Sequence, residues 1–303
     1  MDEEKLELQE LEPSPVDETP ASTKPDDYFP NSTSPSQSSS RKSTTTLGLS
    51  SHSLTFYLHR TQKYSTYAFS LFAGLHIINT SLLPLLTRSL PTSDTYLLLT
   101  RPYYQSPLLE PLLIGLPLTL HIISGIALRL HRRRAQLVAY GAETRSDRKR
   151  LPWPKLSGTS ILGYTLLPLL SAHVFVNRVL PLKVLGGSSD VGLRYVGHGF
   201  AKLPALSFVA YTALVGVAVW HGVWGWARWV GGLPEQVRGT GPERVVKGKR
   251  RWYLINGIAG MVAAIWLAGG LGVVGRGGEV AGWLGREYDG LYGRLPLVGR
   301  WIG

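Results

Sequence analysis

Five stretches of mostly apolar residues, 64 to 86, 108 to 130, 158 to 180, 204 to 229 and 252 to 275, alternate with segments that hold nearly all the charge. A helix needs about 20 residues to cross a hydrocarbon core about 30 Å thick, and each stretch is that long. A soluble helix of this length keeps a polar face, which these stretches lack. Tyr64, Tyr67, Trp226, Trp229, Trp252 and Tyr253 fall near their ends, where an aromatic belt would lie. The expected fold is all-α, an integral membrane five-helix bundle over residues 51–275. A tail, 1–50, precedes it. A Gly-rich segment, 276–303, follows, with too weak a period to predict a helix.

Charge refines this picture. The first 30 residues hold ten acidic side chains against Lys5 and Lys24, which excludes a secretory signal or a basic presequence. From Pro20 to Thr46 the chain turns to Ser, Thr and Pro and cannot bury enough apolar area to offset its ordering entropy, so 1–50 is expected to be disordered. The net charge of +12 comes largely from two loops. One carries Arg132, Arg133, Arg134, Arg145, Arg148, Lys149, Arg150 and Lys155, the other Arg238, Arg244, Lys247, Lys249, Arg250 and Arg251. This bias predicts both loops and the N-terminus in the cytosol, with the C-terminus across the membrane. No recognition motif accompanies the charge, so nucleic acid is not an expected partner.

The chemistry this chain excludes is informative. It has no Cys, hence no disulfide framework, thiolate metal site or Cys nucleophile. GxSxG, HExxH and GxxxxGK strings are missing, and the expectation is a protein that is not an enzyme. Glu110, the only carboxylate within a span, sits near its start, which weakens a small-transporter reading.

Two pairs of strings mark an internal repeat. HIINTSLLP (His76 to Pro84) parallels HVFVNRVLP (His173 to Pro181), and HIISGIALR (His121 to Arg129) parallels HGVWGWAR (His221 to Arg228), at offsets of 97 and 100 residues. A duplicated two-helix unit crosses the membrane an even number of times, so the repeat should be parallel, about an axis along the membrane normal. Each of the first four helices then holds one intramembrane His, and counting from the helix ends sets His121 and His221 at one depth and His76 and His173 at another. Two readings stay open. Neutral imidazoles can hydrogen-bond neighbouring helices as polar glue, or the costly buried groups can serve a function. His121, Gly125 and Arg129 share a helix face, as do His221, Gly225 and Arg228. Such a Gly leaves room for a flat macrocycle, and such an Arg could pair with a propionate.

One His on each of four helices, in a five-helix subunit, resembles the dihaem cytochrome b anchor of succinate and fumarate:quinone oxidoreductases. The resemblance implies His76, His121, His173 and His221 as ligands of haem b, Arg129 and Arg228 as propionate partners, and an electron carrier or quinone-reactive cytochrome. The long acidic tail and the placing of the extra helix last depart from that pattern. In the fifth helix Gly260, Ala264, Ala268 and Gly272 recur every four residues, a small-residue stripe expected to dock against the bundle, with homodimerisation as the alternative.

Within the tail, Leu8, Leu11, Pro13 and Pro15 set two apolar residues before a Pro-x-Pro string, and preset Pro dihedrals lower the entropy lost on docking. This string, on an acidic tail ahead of five helices with repeated His, resembles the fungal mitochondrial outer-membrane Mcp-type adaptor family. The resemblance implies a multi-pass mitochondrial outer-membrane protein with its C-terminus in the intermembrane space. It also implies an adaptor whose tail recruits a chorein-type, bridge-like lipid-transfer protein through those four residues, supporting phospholipid homeostasis and contact sites.

Overall fold

The computed structural model describes residues 53–296 and 299–301, and all regular structure among them is helical. The acidic tail and its Pro-x-Pro string lie outside the described residues. Among the described residues five helices are long and apolar enough to cross a membrane: α1 (Leu54–Thr87), α3 (Pro111–Ala139), α5 (Gly158–Leu185), α7 (Pro204–Trp229) and α8 (Gly241–Gly272). Shorter helices α2 (Leu90–Thr100), α4 (Arg145–Arg150), α6 (Leu193–Lys202) and α9 (Gly282–Tyr292) lie in the connections and after α8. The bundle's outward side chains are apolar and bare, with Leu71 75%, Val209 69% and Leu254 64% exposed, a surface suited to lipid rather than water. Several membrane helices run past the hydropathy limits. α1 begins ten residues before 64, α3 ends nine after 130 and α8 begins eleven before 252. The extra turns carry charge, which a hydropathy window counts as loop although a helix tolerates it outside the hydrocarbon.

The repeat appears in the backbone. α1 and α5 each contain one π turn, Ile78–Leu82 and Phe175–Val179, at the same offset of 97 as the His and Pro residues that flank it. Pro84 and Pro181 lack an N–H and crowd the preceding turn, so the helix widens ahead of each. The Leu83 and Leu180 amides reach back to the Ile78 and Phe175 carbonyls. A side chain bonds the carbonyl four residues back at one position in both halves. Thr80 Oγ1 donates to the His76 carbonyl (2.7 Å) and Asn177 Nδ2 to the His173 carbonyl (2.9 Å).

Within each half the two long helices pack as a hairpin, α1 against α3 and α5 against α7. α8 lies against α7 and against the π turn of α1, so it ties the hairpins together. Val215 and Val219 of α7 meet Ala259 and Ala263 of α8 in a sealed apolar cluster, and Trp220 Nε1 donates to Asn256 Oδ1 at 3.0 Å. Ser81 Oγ donates to the Trp266 carbonyl at 2.7 Å, and a methyl group added to Gly269 would land on the Ser81 carbonyl. This corrects the docking face expected of α8. Its buried side runs through Ile255, Ala259, Ala263, Gly269 and Gly270, whereas Ala264, Ala268 and Gly272 are exposed and Gly260 has open space where a Cβ would sit. Small residues stand on two adjacent faces of this helix, Ala259 and Ala263 on one and the four-residue stripe on the other, and spacing alone does not choose between them.

Opposite the basic loops, α2, α6 and α9 pack together with loop residues. The segment expected to lack a helix folds as α9 and buries Tyr288, Leu291 and Tyr292 on one face. Interspersed Gly dilutes that i, i+3, i+4 pattern in the sequence. Tyr292 stacks on Tyr195 (4.6 Å between centres) and donates to its carbonyl at 3.0 Å, and Tyr288 donates to the Asp190 carbonyl at 2.7 Å. Burial pushes the Tyr288 hydroxyl up to about 12 and raises those of Tyr195 and Tyr292 too, so all three stay neutral donors.

Asp289 joins α9 to α6 by accepting from His198 Nε2 (3.0 Å) and pairing with Lys202 (3.3 Å), while His198 Nδ1 accepts the Val280 amide at 3.0 Å. Partial burial would raise the Asp289 carboxyl, but the His198 hydrogen bond and Lys202 outweigh it and hold it below the usual carboxylate range. A depressed carboxyl stabilises the fold above its unfolded pKa and loses that contribution as pH falls through the folded value. Protection of α9 amides against hydrogen exchange should therefore drop as pH falls below about 4, and Asp289→Asn should flatten the dependence. Equal pH dependence in both proteins would refute this account.

Candidate functional site

The four intramembrane imidazoles form two pairs across the hairpins. His76 of α1 faces His173 of α5 with ring centres 5.9 Å apart and planes at 79°, and His121 of α3 faces His221 of α7 at 6.0 Å and 86°. These are the partners the repeat and the matched depths predict. No hydrogen bond joins the rings of either pair. Two imidazoles bound on opposite sides of one metal, with bonds of about 2 Å, would have ring centres about 6 Å apart.

Hydrogen bonding fixes the tautomers of the pair nearer the basic loops. His221 Nδ1 lies 2.9 Å from the Thr159 carbonyl of α5, which only accepts, so Nδ1 carries the proton. His121 Nδ1 lies 3.1 Å from Thr66 Oγ1, whose own hydrogen goes to the Gln62 carbonyl (2.8 Å), so here too Nδ1 donates. In both rings Nε2 keeps its lone pair, the arrangement in which an outer hydrogen bond orients a ligating imidazole. A Cβ on Gly163 would stand 2.9 Å from the His221 ring, so the absence of a side chain there lets the ring sit against α5.

The second pair is less well satisfied. His173 Nδ1 lies 3.4 Å from Asn177 Nδ2 of its own helix, and the His76 ring has no hydrogen-bond partner among the described residues. Phe72 stacks on His76 at 5.5 Å, and the buried Tyr104 meets Phe72 edge-on.

The other predicted residues are placed differently from one another. Arg129 reaches away from the bundle interior, to the Pro154 carbonyl (3.3 Å) and over the Trp153 ring (5.4 Å). Arg228 is half-buried, and its guanidinium makes no hydrogen bond or ion pair among the described residues. Gly125 gives α1 close approach, since its Cβ would meet Gln62 Nε2 at 3.0 Å, while open space surrounds the corresponding point at Gly225.

Sequence reading missed a polar cluster near the opposite membrane edge. Arg178, within the second π turn, pairs with Glu110 and donates to Ser188 Oγ; Arg101 donates to the Ser188 (2.7 Å) and Val191 (2.6 Å) carbonyls. A lone Arg in the HVFVNRVLP string and the lone carboxylate Glu110 were the available signal.

Residues 168–279 match the sequence family described as MDM10-complementing protein 1, transmembrane domain. Over this stretch the chain is similar to the Mcp-type family. The matched stretch begins within α5 and includes His173, His221, α7 and α8, so the Mcp-type similarity covers one member of each imidazole pair. No curated protein and no solved structure matches the chain.

Proposed function

We propose that this chain is a non-enzymatic mitochondrial outer-membrane adaptor that recruits a bridge-like, chorein-type lipid-transfer protein through Leu8, Leu11, Pro13 and Pro15. The Mcp-type match over residues 168–279 carries this reading. The basic loops on one side of the bundle support an orientation with the N-terminus in the cytosol, where a docking string must be. Pro13→Ala with Pro15→Ala should abolish recruitment while the protein stays in its membrane, and Leu8→Ala with Leu11→Ala should weaken it. As a control, protease added to intact mitochondria should remove an N-terminal tag and spare a C-terminal one. Unchanged recruitment in the double Pro variant would sink the motif assignment.

The two imidazole pairs favour a second, compatible reading, a bundle that holds haem b. The residues fit: ring centres stand 5.9 and 6.0 Å apart, and His121 and His221 present unprotonated Nε2 atoms. His76 with His173 and His121 with His221 would hold the group, which when bound would supply one-electron transfer. Arg228 keeps its place as a propionate partner and Arg129 does not, since its guanidinium is turned to Trp153 and Pro154.

A further inference from the structure

The loop between α3 and α5 is built more firmly than a topology signal requires. Cations set orientation by their number near helix ends, in any conformation. Here Arg133, 8% exposed, drives its guanidinium into the loop and donates to three carbonyls, Arg148 (2.6 Å), Leu151 (2.9 Å) and Pro152 (2.8 Å). The first belongs to the last turn of α4, where carbonyls otherwise lack partners at a helix end, and the other two follow it directly. At its other end α4 has a reciprocal cap. Thr144 Oγ1 accepts the Asp147 amide (3.1 Å), and Asp147 Oδ2 accepts the Thr144 amide (3.1 Å) and hydroxyl (2.6 Å). Trp153 closes the loop under both Arg129 and Arg133, at 5.4 and 5.2 Å.

This clamp presents charge. Arg145, Arg148, Lys149 and Arg150 are exposed, and none of their side chains has a hydrogen bond or ion pair among the described residues. Arg145, Arg148 and Lys149 stand at i, i+3 and i+4, on one helix face. The one carboxylate of α4, Asp147, is spent on the cap. Depth fixes what these cations meet. α3 has 29 residues, so at 1.5 Å each it is about 43 Å long and outruns a core of about 30 Å. Arg133 is three residues past the apolar stretch that ends at 130, and the exposed Trp153 beside it belongs to the class of residue that settles at the headgroup level. Tied to Arg133, α4 lies at that level too.

We propose that α4 is a binding site for anionic phospholipid headgroups of the leaflet that this loop faces, with Arg145, Arg148 and Lys149 gripping the phosphate groups and Arg133 holding the three in place. The site needs only membrane insertion and is independent of the adaptor and haem readings. Juxtamembrane cations contribute about fivefold in affinity each. The purified full-length chain in neutral detergent should bind short-chain phosphatidylinositol 4-phosphate and phosphatidylserine, but not phosphatidylcholine. R145Q/R148Q/K149Q should weaken that binding about a hundredfold. Arg133→Leu keeps all three exposed cations yet loosens their support, and should weaken binding about tenfold.

Wild-type affinity in the triple variant would overturn the proposal, and it stays decisive should Arg133→Leu fail to fold. Wild-type affinity in a folded Arg133→Leu protein would overturn the clamp. Equal affinity for a single-stranded oligonucleotide or an acidic peptide would reveal a nonspecific basic patch. Clustering of added anionic vesicles by phosphatidylcholine proteoliposomes would assign the cations to an apposed membrane rather than their own leaflet.

Discussion

Gly269→Leu should leave no recoverable bundle, whereas Gly260→Leu should extract from the membrane as a monodisperse protein with nearly unchanged melting temperature. The two glycines lie nine residues apart on α8 and have similar sequence surroundings, but opposite spatial ones. A side chain at Gly269 would occupy the space of the Ser81 carbonyl and hydroxyl, which belong to the π turn of α1. A neighbouring side chain could rotate aside; a backbone carbonyl held in a helix cannot. Overpacking costs about 1–3 kcal/mol or more, and separating α1 from α8 also removes the hydrogen bond from Ser81 to Trp266, worth about 0.5–1.5 kcal/mol. Because α8 ties the hairpins together, the damage should spread beyond the contact itself. At Gly260 no atom lies within reach of a Cβ, and leaving Gly for a better helix former gains up to about 1 kcal/mol. The yield of monodisperse protein from each variant in one detergent, with thermal unfolding of whatever is recovered, decides the matter. Similar stabilities would mean that α8 packs through the stripe with Gly260 after all.

The second large effect is spectroscopic. If the imidazole pairs hold haem, the purified chain should show a reducible Soret band with two low-spin sites. His221→Ala should remove about half of it, and His121→Ala with His76→Ala should remove all of it, because each pair would hold the group only with both of its rings. Arg228→Leu should shift a potential or weaken retention without abolishing the band, and Arg129→Leu should do neither. A colourless protein, even after haem supplementation, would leave the imidazoles with a structural role. The hydrogen bonds then order the variants differently. His121→Ala and His221→Ala each break a bond to a neighbouring helix and should cost about 0.6–2 kcal/mol of helix association. His76→Ala breaks none and should cost less.

Much of this architecture is legible in the sequence. Five apolar runs, two basic loops and the offsets of 97 and 100 lead to the bundle and to the pairing of His76 with His173 and His121 with His221. Side-chain direction is where the reading stops. Arg129 and Arg228 hold similar places in the repeat, yet Arg129 is drawn outward by Trp153 and the Pro154 carbonyl, partners supplied by a loop that the second half does not reproduce. The docking face of α8 turns on a rotation of one residue between two faces that both carry small side chains. The groups that set the tautomers, the Thr66 hydroxyl and the Thr159 carbonyl, are an ordinary helix residue and a backbone atom, which no motif announces.

The π turns give the two halves a common mechanical offset. A π turn amounts to one residue more than an α-helix needs, and one residue is about 100° of rotation. In α1 and α5 it comes between a histidine and a proline, so it sets the azimuth of each ring relative to the far end of its own helix. Deleting a single residue from Ile78–Leu82 would let α1 run on as regular helix, and its two ends could not both keep their places. Either Ser81 would turn away from α8, or His76 would swing out of the space it shares with His173. The same extra residue stands in both halves, so the His76 and His173 rings take their direction from one device although the side chains around them differ.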